Sequence, residues 1–181
     1  MVFAPDTEVA LRTVVNLINT AANGREGLPS VGDLDSFLAA EGFSGARTRD
    51  ATELQSVRQL RGVLAGVWTA GEDAAVNTVN RLLRDANALP QLMKHDGWDW
   101  HLHATAPEAP LAERMSTEAA MALADVIRSK EMDRMRTCES EDCDAAVLDL
   151  SRNRSKRYCD TGNCANRAHV AAYRARQAAA G

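Results

Sequence analysis

Residues 138 to 164 read CESEDCDAAVLDLSRNRSKRYCDTGNC and contain all four cysteines of a 181-residue chain. Their spacing is Cys138-x4-Cys143-x15-Cys159-x4-Cys164, two short pairs separated by one loop. Clustering of this kind points to a single local task. Zinc suits four thiolates because it is tetrahedral with Zn–S near 2.3 Å, and a short pair can aim both sulfurs at one point while the distant pair closes the site. Four protein ligands leave no position for water, so the expected cofactor is one structural Zn2+ on Cys138, Cys143, Cys159 and Cys164 rather than a catalytic ion. Disulfide pairing and a redox or iron–sulfur role are the alternatives. The absence of a secretory pattern at the N-terminus, and hence an expected reducing, cytoplasmic setting, weighs against disulfides.

Working outward, the charge is uneven. From Leu150 to Gly181 there are seven Lys/Arg against one acid, leaving 14 against 24 in residues 1 to 149, although the whole chain carries only −4. An acidic body argues against coating nucleic acid everywhere, whereas the basic end could make one confined contact. No apolar run approaches the roughly 20 residues of a membrane helix, so no membrane partner is expected.

Toward the N-terminus, residues 8 to 20, EVALRTVVNLINT, fit either a strand or a buried helix. Asp33 is expected to open a short helix with Leu34, Phe37 and Leu38 on its apolar face. Thr52 and Gln55 have capping-box spacing before a stripe of Leu54, Val57, Leu60, Leu64 and Val67. Gly71 separates that helix from a second bearing Val76, Val79, Leu82 and Leu83. Residues 88 to 104 alternate in a way that predicts a two-stranded hairpin about Asp96-Gly97, with Trp98 and Trp100 turned toward the core. Ser116 is a candidate N-cap for a helix running to about Met135. The fold class is therefore α+β: a mostly helical N-terminal domain, residues 1–135, with a small β-hairpin or sheet, followed by a four-cysteine module at 136–181. The boundary is placed near Arg136, and loss of metal is expected to unfold the module while leaving the helical body folded.

The residues around the cysteines carry a resemblance. Asp149, Ser151, Arg152 and Asn153, the basic pair Lys156 and Arg157 with Tyr158 before Cys159, and Tyr173, Arg174 and Arg176 resemble the pattern of the CGNR-type zinc finger, a treble-clef-like module. The match covers Arg136 to about Arg176. It departs at Ala165, where glycine is usual, and at Val147, where a larger aromatic is usual. Asn16-Leu17-Ile18-Asn19-Thr20 is similar to a landmark of the ABATE domain, which usually precedes such fingers. That similarity favours a strand over residues 11 to 18. The resemblance implies a stress-responsive transcription regulator.

In this reading Arg152, Arg154, Lys156 and Arg157, in the loop before Cys159, and Arg167, Arg174 and Arg176 after Cys164 are the candidate nucleic-acid contacts, with DNA the expected partner. On a helix over 165 to 179, Val170 and Tyr173 would pack on the zinc core with cations along both edges. The alternative is a zinc-stabilised adaptor that docks a protein. Ion pairing with Asp142, Asp144 and Asp149 would reduce the same arginines to an ordinary solvated surface. Asn19, Asp99, His101 and His103 are candidate ligand-binding residues for a small-molecule or protein effector. Asp99, His101 and His103 share one strand face, which could supply metal ligands or, more weakly, an enzyme site; an exposed strand face is the plainer explanation. A homodimer is compatible with this reading. No catalytic motif such as GxSxG, HExxH or a Walker loop is present, and no enzymatic activity is expected.

Overall fold

The structure is a computed structural model that describes residues 2–94, 97 and 99–179. The expected turn residue Asp96, and Trp98, lie outside the described residues. The elements are α1 (Pro5–Asn19), α2 (Val31–Ala40), α3 (Ala51–Trp68), α4 (Glu72–Asp85), β1 (Gln91–Met93), β2 (His101–His103), α5 (Leu111–Arg128), β3 (Met135–Thr137), β4 (Ala146–Leu148) and α6 (Cys164–Ala179). Short 3-10 turns lie at Ala22–Gly24 and Met132–Arg134. The protein is thus mostly helical with two small antiparallel sheets, β1–β2 and β3–β4. Among the described residues no helix is long and apolar enough to cross a membrane.

The strand expected over residues 11 to 18 is a helix. Pro5 occupies its first turn with Asp6 and Glu8, which suit the positive end of the helix dipole. Leu11, Val14 and Val15 are buried, with Ile18 packed beside them. That spacing makes one helical face, and burial of the face outweighs the strand preference of its β-branched members. Other boundaries move for similar local reasons. α2 begins at a capping box in which Ser30 and Asp33 satisfy each other's backbone N–H, so Asp33 is the third helical residue rather than the cap.

α3 is capped by Asp50, whose carboxylate accepts the Glu53 N–H at 2.8 Å, two residues before the expected Thr52. Glu53 turns back to accept the N–H groups of Thr48 and Arg49 and the Arg47 guanidinium, which fixes the entry loop. Ser116 is not a cap. It is buried inside α5, its hydroxyl donating to Glu113 O at 2.9 Å, because the helix already starts after Pro110. α5 ends at Arg128, and the chain reaches β3 through the 3-10 turn rather than by continuing as helix.

α5 packs against α1, α3 and α4 and forms the centre of the body. The hairpin β1–β2, in the register Leu92↔Leu102, lies outside this core. Trp100 is accordingly exposed, at 67%, against the expectation of burial: among the described residues no layer covers that side of the two-stranded sheet.

β4 joins the two parts of the molecule. Successive strand residues face opposite ways, and here the two faces serve different cores. Ala146 and Leu148 belong to the helical core with Leu11, Leu64 and Leu123, whereas Ala145 and Val147 pack with Cys138, Cys159, Cys164 and Ala22. β3 lines one edge of β4. On the other side the Asn19 side chain donates to Ala146 O at 2.9 Å and accepts from Ala146 N at 2.7 Å, standing in for one residue of a third strand. Asn19, expected among ligand contacts, is buried and has both ends of its amide engaged inside the fold. The Trp68 indole N–H donates to Arg136 O at 2.9 Å, so the boundary placed near Arg136 falls within β3 and under a body side chain.

Removing this amide tests the junction. Asn19→Ala leaves the buried Ala146 N–H and C=O unsatisfied and is expected to cost about 2–4 kcal/mol. The readout is a lower urea midpoint at unchanged slope; an unchanged midpoint would remove the amide from its assigned role.

Candidate metal centre

The β3–β4 hairpin places the first cysteine pair. Cys138 directly follows β3, and its N–H donates to Ala145 O at 2.8 Å, closing a loop whose inner turn, Cys143 N to Ser140 O at 3.0 Å, presents Cys143. The second pair comes from the far end of the basic loop. Cys159 donates its backbone N–H to Cys138 Sγ at 3.4 Å, and Cys164 is the first residue of α6. Between them the chain passes so close to the sulfurs that a Cβ at Gly162 would lie 3.3 Å from Cys164 Sγ and 3.7 Å from Cys159 Sγ.

The four sulfurs lie within 4.8 Å of one another, with Cys143–Cys159 at 3.7 Å and Cys159–Cys164 at 3.8 Å. Four ligands about 2.3 Å from a tetrahedral centre are about 3.8 Å apart, so the site fits one structural zinc ion. Three of the cysteines are buried and none forms a disulfide.

Zinc with four thiolates carries a net charge of −2, and the surroundings supply positive groups to offset it. Arg167 Nη2 lies 3.3 Å from Cys164 Sγ, and its guanidinium is held above its ordinary value by Asp142 first and by Cys164 next. Asn23 Nδ2 lies 3.8 Å from Cys143 Sγ. Asn23 reaches across from the body, donating its N–H to Asp144 at 2.6 Å and accepting the Asp144 N–H at 3.1 Å. Without metal, burial pushes the Cys143 thiol up to about 12 and raises Cys138 as well. Cys159 goes the other way: burial acts to raise it, but the Thr161 hydroxyl and the neighbouring thiols draw it down to about 7.

The Asp-x-Ser run is part of the scaffold. Asp149, fully buried, accepts the Ser151 N–H at 2.9 Å, the Ser151 hydroxyl at 2.5 Å and the Lys156 N–H at 2.9 Å. Arg134, also buried, donates to the carbonyls of Asp149 and Ser151 at 2.9 and 3.0 Å. Together they pin both ends of the basic loop. Sequence reasoning missed Arg134 and Asn23; the only signal for Asn23 was its place in a glycine-rich turn. Val147 is 1% exposed and fills its position without a larger aromatic, and Ala165 lies in the first turn of α6, where no positive φ is required.

The candidate nucleic-acid residues divide into two sets. Arg154 pairs with Asp133 at 2.5 Å and Glu131 at 2.8 Å, Lys156 with Asp160 at 2.5 Å, Arg157 with Glu139, and Arg167 with Asp142 at 2.5 Å. Arg152, Arg174 and Arg176 have no acidic partner among the described residues. Val170 and Tyr173 do not pack on the zinc core: they are 47% and 57% exposed, and every described residue from His169 onward is exposed. α6 is rooted at Cys164 and then leaves the protein surface.

Asp99, His101 and His103 do not converge as three ligands. The Asp99 carboxylate turns to Lys94 at 2.9 Å, while its carbonyl oxygen meets His101 Nδ1 at 2.7 Å. Among the described residues, the cysteines form the only group of three or more side chains arranged for a metal.

Zinc binding must displace the protons of Cys138 and Cys143, both of which are thiols at neutral pH. The zinc association constant is therefore expected to rise at least about a hundredfold from pH 6 to pH 7, measured against a competing chelator. Because Ala146 and Leu148 are shared with the helical core, chelation or Cys159→Ser should also lower the melting temperature followed by helix ellipticity. Unchanged helix melting would instead support the expectation of an independently folded body.

Comparison with protein families agrees with this geometry. Residues 11–130 match the family ABATE, described as "Putative stress-induced transcription regulator", and residues 134–177 match the CGNR zinc finger. No curated protein matches the chain. The N-terminal match spans most of the chain, and the second match coincides with the four-sulfur site and its arginine-bearing helix. The chain belongs to the ABATE family and carries a CGNR zinc finger.

Proposed function

We propose that the protein is a DNA-binding transcription regulator in which zinc fixes the root of α6 and the exposed remainder of that helix contacts the duplex. The observation that carries this reading is the projection of α6: from His169 to Ala179 it lies in solvent on all sides, bearing Arg174 and Arg176 without acidic partners among the described residues. An isolated helix of this length is marginal in water, so a binding surface is the natural setting for it. Its diameter suits a major groove, and arginines on it can contact phosphates and release counterions.

The electrostatics reorder the candidate contacts. Arg154, Arg157, Lys156 and Arg167 are neutralised by solvent-screened ion pairs, which phosphate could replace. Arg174, Arg176 and Arg152 need no such exchange and lead the set. The helical body takes the sensing role. An open groove of about 550 Å3 between the end of α3 and β3, lined by Trp68, Met132, Asp133 and Met135, touches both modules and is where an effector would bias one through the other.

A second reading is favoured by Val170 and Tyr173, whose exposure on α6 would also suit a helix seated in an apolar groove of a protein partner.

Duplex binding by the zinc-loaded chain separates the two readings. The regulator reading expects log affinity to fall by about 0.9 per log unit of salt for each phosphate contacted, with Arg174→Ala and Arg176→Ala each reducing that slope by about one contact. Arg154→Ala should have the smaller effect. Absence of binding to random duplex at low salt overturns the reading, and loss of protein capture by Tyr173→Ala alone would support the adaptor.

A further inference from the structure

We propose that α6 reads base edges in the major groove of duplex DNA through Val170, Tyr173 and Gln177, with Gln177 paired to an adenine, while Arg174 and Arg176 hold the phosphates on either side. This rests on the duplex-binding reading above and adds to it which residues select sequence. Side chains of an α-helix advance about 100° per residue, so the phase of α6 follows from its root. Cys164 is buried, Ala165 and Ala168 are partly buried, and the first two lie within about 60° of Ala168, which marks the side turned toward the finger. Farther along the helix that side carries only alanine, at Ala171, Ala172, Ala175 and Ala179. Val170, Tyr173 and Gln177 lie within about 40° of the opposite direction, and all three are exposed. Arg174 and Arg176 stand on the two flanks between these faces.

The outward face has the chemistry of base readout. A glutamine amide offers a donor and an acceptor side by side and bonds adenine at N7 and N6 together, while an apolar side chain beside it meets a thymine methyl. Val170 and Gln177 are two turns apart, about 10.5 Å along the axis, which spans about three base pairs. A helix about 10–12 Å across fits a major groove about 12 Å wide, and arginines on its opposite flanks then face the two phosphate backbones. Charge selects this occupant over the others. From Thr161 to Gly181 the sequence has no acid, and Arg174 and Arg176 have no acidic partner among the described residues, so the face complements a polyanion. A second copy of α6 would set these arginines against arginines. An apolar groove on a protein partner would take Val170 and Tyr173 but leave the Gln177 amide, which lies between them on the face, buried without partners.

Selection from a random duplex pool with the zinc-loaded full chain supplies the probe, which is then compared with a scrambled duplex of the same composition. The expected product is a core of about three base pairs that includes an A·T pair. Gln177→Ala should reduce the preference for the selected over the scrambled duplex by about tenfold or more, with affinity for the scrambled duplex and the salt slope unchanged. Arg176→Ala should do the reverse, weakening both duplexes alike and lowering the slope by about one contact. Altered bases assign the contacts. Replacing the core adenine by 7-deazaadenine removes N7 and should weaken wild type about tenfold but leave Gln177→Ala unaffected. Replacing thymine by uracil removes the methyl and should weaken wild type about fourfold but leave the double variant Val170→Ala, Tyr173→Ala unaffected. Unchanged zinc content and helix ellipticity confirm that each variant is folded. Equal binding of selected and scrambled duplexes, or a preference that survives Gln177→Ala, overturns the inference while the regulator reading stands. No binding to any duplex at low salt overturns both.

Discussion

The three residues of β4 have to satisfy two cores at once, and the rest of the molecule is arranged around that constraint. A strand this short contributes little by itself. It is held because β3 covers one edge, the Asn19 amide supplies both a donor and an acceptor to Ala146, and each side chain from Ala145 to Leu148 is buried. The alternation of the strand assigns Ala146 and Leu148 to the helices and Ala145 and Val147 to the cysteines. A change in either core is therefore felt in the other through a rigid element of about 10 Å. Structural zinc in finger peptides supplies about 10–16 kcal/mol of apparent binding free energy, and β4 is the strand that the zinc module shares with the helical body. The reciprocal hydrogen bonds between Asn23 and Asp144, and the single bond from the Trp68 indole to Arg136 O, reinforce the same junction from two further directions.

What could be read from the sequence follows from how local the cause was. The cysteine ligands were legible because their chemistry and spacing admit few alternatives. α3 was legible because Leu54, Val57, Leu60, Leu64 and Val67 repeat at helical spacing, and all five are buried. Residues 11 to 18 fit strand and helix alike because Val14, Val15 and Ile18 are β-branched, and the resemblance at Asn16–Thr20 tipped the reading toward a strand; the helical face prevails because α5 is present to cover it. Ser116 looked like a cap because its type is common at caps; what decided its role was Pro110, six residues earlier, together with burial of Leu111 and Met115. Asn19 was noticed for the right position and the wrong reason. Its partner is 127 residues away, and nothing in sequence separates a ligand-contacting asparagine from one that completes a strand. The alternation at Trp100 predicted the hairpin but not its exposure, since a strand pattern does not say whether a second layer exists.

Charge shows a similar division between what a segment contains and what the fold does with it. The tail is strongly basic in sequence, yet four of its cations are returned to Glu131, Asp133, Glu139, Asp142 and Asp160 by the folding of the finger itself. The pairing is positional. Arg167 reaches Asp142 because α6 starts at a zinc ligand, and Arg154 reaches Glu131 and Asp133 because Arg134 and Asp149 pin the loop against the 3-10 turn. Those acids lie in or next to the finger, so its zinc-proximal part is close to neutral and the unbalanced positive charge is concentrated farther out along α6. This places the electrostatic attraction for a polyanion at the tip of a lever whose fulcrum is the metal centre. The direction of that lever is set by Cys164, its stiffness by the zinc–sulfur bonds, and its attachment to the body by β4 together with the Asn23 and Trp68 contacts, so that a perturbation of the helical core reaches α6 through this junction and the centre it supports.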